Sequence, residues 1–400
     1  MIEMGSAGQS RRWPLLMLVV LVGLNLRPFL TASGPLAASI RGDTGMTLQG
    51  MALLTLVPMG LMGLLAFAGP SVQAALGARR AVILALAVMA IGSFGRFFAA
   101  TSGALILTAA LLGIGVAIVQ AVFPGILKRH FAGHLTVVMG LYSATLMGGG
   151  ALGARLSPMV AGAARGWHAG LGWLAGPAAL AALAAAWILP REEALGQAAT
   201  IAPGSLLHRP RTWLLMACFG LVNGGYSSII AWLAPFYQER GWTPAASGGL
   251  LAAMALSQGI AALLFPIFAR ANPDRRKWLW LTLGLQACGF LGLAAAPDLA
   301  PGLWAVSVGA GLGASFALTL VVALDHLDDP AAAGALAALM QGGGFLLAAL
   351  TPWLVALLHD RTGSFAAGWM MHLVNVVVVI GLTTRLAPHS YAQALEQRRR

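Results

Sequence analysis

The chain has 400 residues, 59% of them hydrophobic and only 9% charged, with 24 Lys and Arg against 12 Asp and Glu. A soluble chain carries about 25% charged residues to cover its surface, so this composition excludes one or two soluble domains and indicates a polytopic membrane protein. A net charge of +12 would suggest nucleic acid as a partner of a soluble protein. Here most of the basic residues fall between apolar runs and read as a topology signal, with no nucleic acid expected.

Runs of about 20 apolar residues cross a hydrocarbon core roughly 30 Å thick. Spans are expected at 14–40, 47–75, 81–100, 104–127, 135–160 and 168–189, then 213–238, 246–269, 278–296, 301–324, 331–358 and 365–386. The fold class is therefore an all-α polytopic membrane protein of twelve helices. Arg11 and Arg12 before an apolar run imitate a secretory signal, with small residues from Ala32 to Gly34 imitating a cleavage site. The many further spans make an uncleaved first helix the expectation.

Span one contains Leu24-Asn25-Leu26-Arg27-Pro28, a guanidinium and a helix breaker among apolar residues. An arginine at the centre of a membrane helix costs a few kcal/mol or more, and is kept where it faces a cavity, a partner or a substrate. Arg27 is 15 residues from Arg12 and 14 from Arg41, too far to snorkel to either interface. Two readings stand: a substrate-facing or gating group, or a hydrogen bond to backbone carbonyls, for which Pro28 frees that of Leu24. Thr31, one turn on, shares its face. Asn25 points elsewhere and is expected to bond a neighbouring helix.

Span two ends in a basic turn, Gly77-Ala78-Arg79-Arg80, a gating candidate. Arg96, near the end of span three, is expected to anchor at the interface. Span four offers Gln120, a donor and an acceptor, and closes on Lys128 and Arg129. In span five, Arg155 has Gly148 and Ala151 beneath it, and cavity wall and snorkelling stand as equal readings.

From Pro190 to Thr212 runs the longest polar stretch, a linker between an N-terminal half at 1–189 and a C-terminal half at 213–400. In span seven Asn223 and Tyr226 share a face, with Trp232 further along. Gln258, Gln341 and His372 are weaker candidates. Asp325, Asp328 and Asp329 follow span ten, the counterpart of span four. Two readings stand for these acids and for Lys128 and Arg129: solvated loop charges, or opposite charges, Arg129 and Asp325 among them, that meet across the pseudo-two-fold when the carrier opens outward.

An internal repeat supports two halves, as in many secondary transporters. Gly140, Gly148-Gly149-Gly150 and Pro158 recur as Gly334, Gly342-Gly343-Gly344 and Pro352, each offset by 194. Of the 24 basic residues, 17 fall on the side of the termini and 4 (Arg41, Arg165, Arg240, Arg361) on the other; Arg27, Arg96 and Arg155 lie within spans. Lys and Arg are retained in cytoplasmic loops, so both termini are expected inside the cell.

No carboxylate falls in the middle of a span, so the embedded fixed charges are all positive. A cavity of that polarity suits an anion or an electron-rich polar molecule. Cys218 and Cys288 are far apart in apolar segments, and His130 and His134 lack the Glu of a zinc protease helix. There is no nucleophile elbow and no Lys after either glycine triplet. No enzyme activity, cofactor or metal is expected.

Twelve spans in two repeated halves with a basic turn after the second resemble the major facilitator superfamily. Leu24 to Pro28, Gly113 to Arg129, Gly140-Leu141-Tyr142, Ala231 to Pro235, and Met340-Gln341-Gly342 running to Ser364 together resemble the cyanate/nitroimidazole transporter family. The resemblance implies alternating access around a cavity lined by spans one, four, seven and ten. Gln73 stands near where the superfamily usually has an aspartate, Gln120 where many relatives have asparagine, and span five lacks the Gly-Pro of the antiporter motif.

The expected function is a monomeric multi-pass carrier of the bacterial inner membrane that moves a small anion (cyanate-like, nitrate-like or a small carboxylate). Arg27, Thr31, Gln120, Arg155, Asn223, Tyr226, Trp232 and Gln341 are the candidate ligands. Arg79, Arg80, Lys128, Arg129 and Asp325 are the candidate gates. Efflux of nitroimidazole-like compounds and a non-transporting membrane sensor are the alternatives.

Overall fold

The computed structural model describes residues 12–131, 134–190, 204–327, 329–391 and 394. The linker residues Arg191, Glu192, Glu193 and Pro203 lie outside the described residues, as do Arg11, Asp328, Glu396 and Arg398 to Arg400. Twelve helices among the described residues are long and apolar enough to cross a membrane. They are α1 (Trp13–Thr31), α2 (Leu48–Leu65), α3 (Ala78–Gly95), α4 (Ser102–His130), α5 (Val137–Ala163) and α6 (Trp167–Ile188). After the linker follow α7 (Pro210–Gln238), α8 (Pro244–Ala269), α9 (Arg276–Ala295), α10 (Pro301–Leu324), α11 (Ala332–Thr362) and α12 (Ala366–Thr383).

Local chemistry sets many of the ends. The hydroxyls of Thr47, Thr101 and Thr243 accept from backbone N–H groups three residues on, opening α2, α4 and α8, and the Asp329 carboxylate does the same for α11. Each such cap satisfies a donor that a helix start leaves unpaired, worth roughly 1 kcal/mol. Gly363, at φ 70°, ends α11 in the left-handed conformation that glycine adopts without a Cβ penalty.

Two spans are less continuous than their hydropathy suggests. Span one runs helical from Arg12 to Asn25, breaks at Leu26 and Arg27, and resumes over Pro28–Thr31. Pro28 has no N–H to continue the ladder and takes a first-turn position in the new segment, where none is needed. Span two likewise stops at Leu65, and a separate helix, Gly69–Leu76, starts with Pro70 in its first turn. Arg96 departs from expectation too. It is 1% exposed, tucked between α3 and α4, with its Nε 3.3 Å from the Thr108 hydroxyl.

Packing repeats with a period of six helices. The contacts of α1 with α5, α2 with α4, and α3 with α4 and α6 recur as α7 with α11, α8 with α10, and α9 with α10 and α12. Between the two sets, α2 packs on α11 and α5 on α8, and these seams exchange under the same relation. Their closeness depends on glycine. A Cβ on Gly248 would lie 2.4 Å from the Ala154 carbonyl and one on Gly63 2.8 Å from that of Gly342. Hydrogen bonds also cross on the face remote from the termini: Gln49 to Asp360, Arg155 to the Ala245 carbonyl, and Gln238 to the Pro35 carbonyl. There the far end of the first span is tight against α7, for a Cβ on Gly34 would lie 2.7 Å from the Ile230 carbonyl.

Candidate functional site

The break in α1 creates the site. Arg27 immediately precedes the short helix Pro28–Thr31 and is 4% exposed. The backbone here rests on the glycine face of α5. Cβ atoms on Gly149 and Gly153 would lie 2.3 Å from the Leu24 carbonyl and 2.5 Å from the Pro28 Cα, and one on Gly150 would sit 3.5 Å from the Arg27 Cβ. Only a stripe without side chains lets α5 approach a kinked helix so closely. The repeated triplet on α11 meets Phe67 at Gly342, Met216 at Gly343 and Phe219 at Gly344.

The guanidinium of Arg27 forms no hydrogen bond or ion pair among the described residues, and its Nε and Nη1 are buried without a partner. The Leu24 carbonyl therefore does not take it up. Its Cζ lies 5.1 Å from the centroid of the Tyr226 ring on α7. A cation over an aromatic face gains about 0.5–2 kcal/mol, increasing as water is excluded. That stabilises the charge in part and leaves its directional N–H donors unused. Leaving buried charged donors unpaired is costly, so a site of this kind favours an acceptor-rich ligand. Helices α1 and α7 are equivalent in the six-helix repeat, so the Arg27–Tyr226 contact joins the two sets near their pseudo-axis.

The other candidate ligands divide by what already engages them. The Thr31 hydroxyl donates to the Gly150 carbonyl at 2.7 Å, so it ties α1 to α5. Thr31→Val is expected to lower stability by about 1 kcal/mol, read as thermal unfolding in detergent, the loss of one buried interhelical hydrogen bond. The Trp232 indole donates to the Pro352 carbonyl at 2.9 Å and packs on Phe365, inside the α7–α11 interface. Arg155 is exposed and reaches α8 at Ala245, so the structure does not bring it to Arg27. Asn223 is buried and its amide donates to Phe219, one turn back on its own helix. Gln120 and Gln341 are half-buried. Tyr226 is the candidate ligand that meets Arg27.

Among the gating candidates, Arg79 donates from Nε and Nη2 to the carbonyls of Leu189 and Ala186, so it caps the end of α6. Arg80, Lys128 and Arg129 are exposed. Asp325 lies 3.5 Å from the Arg275 Nε and makes no ion pair with Lys128 or Arg129 in this arrangement.

Two features went unweighed in the sequence. Tyr142 on α5 is 6% exposed, its hydroxyl is buried without a partner, and it lies within electrostatic reach of Arg27. It belongs to the Gly140-Leu141-Tyr142 stretch, but one helix cannot show which neighbour its tyrosine faces. Ser227 and Thr351 form a hydroxyl cluster joining α7 to α11, with the carbonyls of Gly224 and Ala348 as acceptors. The adjacent Ser227 and Ser228 in span seven and the single Thr351 in span eleven were its available signal.

Comparison with known proteins adds independent information. The profile of the Major Facilitator Superfamily matches residues 19–352. The cyanate transport protein CynX of Escherichia coli (strain K12) is 44% identical over 379 residues, covering 95% of this chain and 98% of that protein. The 2-nitroimidazole transporter of the same organism is 28% identical, covering 90% and 91%. A bacterial homologue of the human lysosomal transporter Spinster, solved inward-facing and unoccupied, superimposes with a TM-score of 0.74 at 16% identity over 97% of this chain and 99% of that one.

Proposed function

Because this chain belongs to the Major Facilitator Superfamily, in the family of the cyanate and 2-nitroimidazole transporters, we propose that it carries a small monovalent anion of the cyanate class by alternating access. The observation that carries this reading is Arg27, buried in the middle of α1 with unpartnered N–H donors and no ion pair among the described residues. A small anion with acceptor atoms at both ends would accept from one of these buried N–H donors and restore a hydrogen bond that burial removed. Tyr226 would cover the cation from the other half. The 44% identity to the E. coli cyanate transport protein supports the same cargo class.

In this reading residues 1–189 and 213–400 rock as two halves about the α2–α11 and α5–α8 seams, joined by the 190–212 linker. Arg27 and Tyr226 separate or close as they do so. The protein sits in the bacterial inner membrane with its termini in the cytoplasm, as the excess of basic residues on that side supports.

The test is ligand-induced stabilisation of the purified protein. A ligand that binds only the folded state adds about 2.7 kcal/mol at one hundred times its dissociation constant. Cyanate is expected to raise the melting temperature of the wild type and leave that of Arg27→Ala unmoved. Stabilisation of both proteins by 2-nitroimidazole, with no response to cyanate, would replace the anion by a neutral azole as the cargo.

A further inference from the structure

The seam of α5 with α8 is tight at one end and looser at the other. Near the face remote from the termini, a Cβ on Gly248 would lie 2.4 Å from the Ala154 carbonyl and 3.0 Å from the Pro158 Cγ. Deeper in the membrane, one on Gly259 would meet only the Met147 side chain, at 3.0 Å. Toward the terminus-bearing face, one on Gly140 would meet nothing nearer than the Leu263 Cδ2 at 3.8 Å. The charges that end α4 and α10 on that side are apart as well, with Lys128 and Arg129 exposed and Asp325 beside Arg275. That leaves the remote face shut and the terminus-bearing face the looser one.

Arg155 sits at the shut end. Leu152, Arg155 and Met159 form an exposed stripe along one side of α5, at the spacing of neighbours on one helix face. The other two are apolar, as the lipid-facing side of a membrane helix requires. An arginine on such a stripe ordinarily extends along its own helix toward the headgroups. Here it turns sideways across the seam: its Nη1 donates to the Ala245 carbonyl in the first turn of α8 at 2.9 Å, and a Cβ on Gly249 would lie 3.2 Å from the same nitrogen. Arg155 makes no ion pair among the described residues.

This bond joins the α1–α6 set to the α7–α12 set, so it breaks when the outer ends of α5 and α8 part. Its donor is charged, which strengthens it, and its exposure lets water or headgroup oxygens replace the carbonyl once it breaks. It therefore weighs on the balance between arrangements that keep it and those that lose it. The other two bonds across this face are placed differently. Gln238 donates to Ser247 of its own set as well as to Pro35. Gln49 and Asp360 join α2 to α11, a seam that stays tight further along, where a Cβ on Gly63 would lie 2.8 Å from the Gly342 carbonyl.

We propose that Arg155 is the outer latch of the transport cycle: its bond to the Ala245 carbonyl holds the α5–α8 seam shut on the remote face and biases the carrier toward the arrangement open to the cytoplasm. The inference rests on the alternating-access reading above.

The full-length protein in proteoliposomes, with spin labels for distance measurement, tests this. One pair, Gly162→Cys with Leu299→Cys, reads the remote face, and a second, Gly125→Cys with Gly334→Cys, reads the other, in a Cys288→Ala background where the remaining Cys218 is buried. Arg155→Ala is expected to raise the population of long outer distances about fivefold and to lower that of long inner distances in step. Arg155→Lys, which keeps a charged donor, should stay within about twofold of the wild type, as should Leu152→Ala, which alters a neighbour on the same stripe. Unchanged outer distances in Arg155→Ala would leave a snorkelling side chain and overturn the latch. Outer separation without inner closure would overturn it too, since that marks fraying of α5 alone. Cyanate uptake by the same vesicles separates the latch from the reading beneath it: uptake with unchanged distances overturns the latch only, whereas no uptake and no second distance in any variant overturns both.

Discussion

Arg27→Ala is expected to lower anion transport in proteoliposomes by about a hundredfold or more, with normal expression and folding. A charge-assisted hydrogen bond contributes about 1.5–3 kcal/mol, and Arg27 offers two buried donors with no other partner. The melting temperature should hold or rise, because removing an uncompensated buried charge relieves a desolvation cost. Few mutations are expected to abolish function while stabilising the fold, and that combination separates a ligand from a structural residue. Arg27→Lys should keep part of the activity, since an ammonium retains the charge and loses the planar fork. Transport by Arg27→Ala at half the wild-type rate or better would move the cargo site elsewhere.

Gly149→Ala is expected to damage stability and transport together. The added methyl would lie 2.3 Å from the Leu24 carbonyl, a backbone atom that cannot rotate aside, so α1 and α5 must part. Overpacking of this kind costs about 1–3 kcal/mol, and here the displacement falls on the break that holds Arg27. Gly148→Ala is the control, because its methyl would meet nothing nearer than the Leu24 Cδ2 at 3.9 Å. A lower melting temperature and impaired transport are expected for the first variant, and neither for the second. Identical behaviour of the pair would show that α5 does not set the geometry of the break.

Much of the fold was legible along the chain. Every span has its helix, ten of them with ends within several residues, while spans one and two run past Thr31 and Leu65 into separate short helices; membrane insertion depends on the length and hydropathy of a local segment. The glycine triplets at 148–150 and 342–344 lie at close helix contacts, as a repeat of small residues suggests. Arg27 also stood out unaided, since a guanidinium far from both interfaces is anomalous whatever surrounds it. The polar candidates fared unevenly. Thr31, Trp232 and Asn223 read in sequence much like Tyr226, yet the first three bond backbone carbonyls and only Tyr226 lies against the cation. A polar side chain in a membrane helix can face a cavity, a neighbour or its own preceding turn, and helical periodicity does not choose among them.

By itself, then, the sequence determined twelve membrane helices, their repeat, and an arginine in mid-span with no carboxylate in the middle of any span. These are properties of composition and spacing, which local physics reads directly. Tertiary structure alone decided that Pro28 breaks α1 beside Arg27, that Tyr226 arrives from the other half, that Arg96 is enclosed rather than interfacial, and that Asp325 meets Arg275. Each of these depends on which helix packs against which, and that is set by surfaces far apart in the chain.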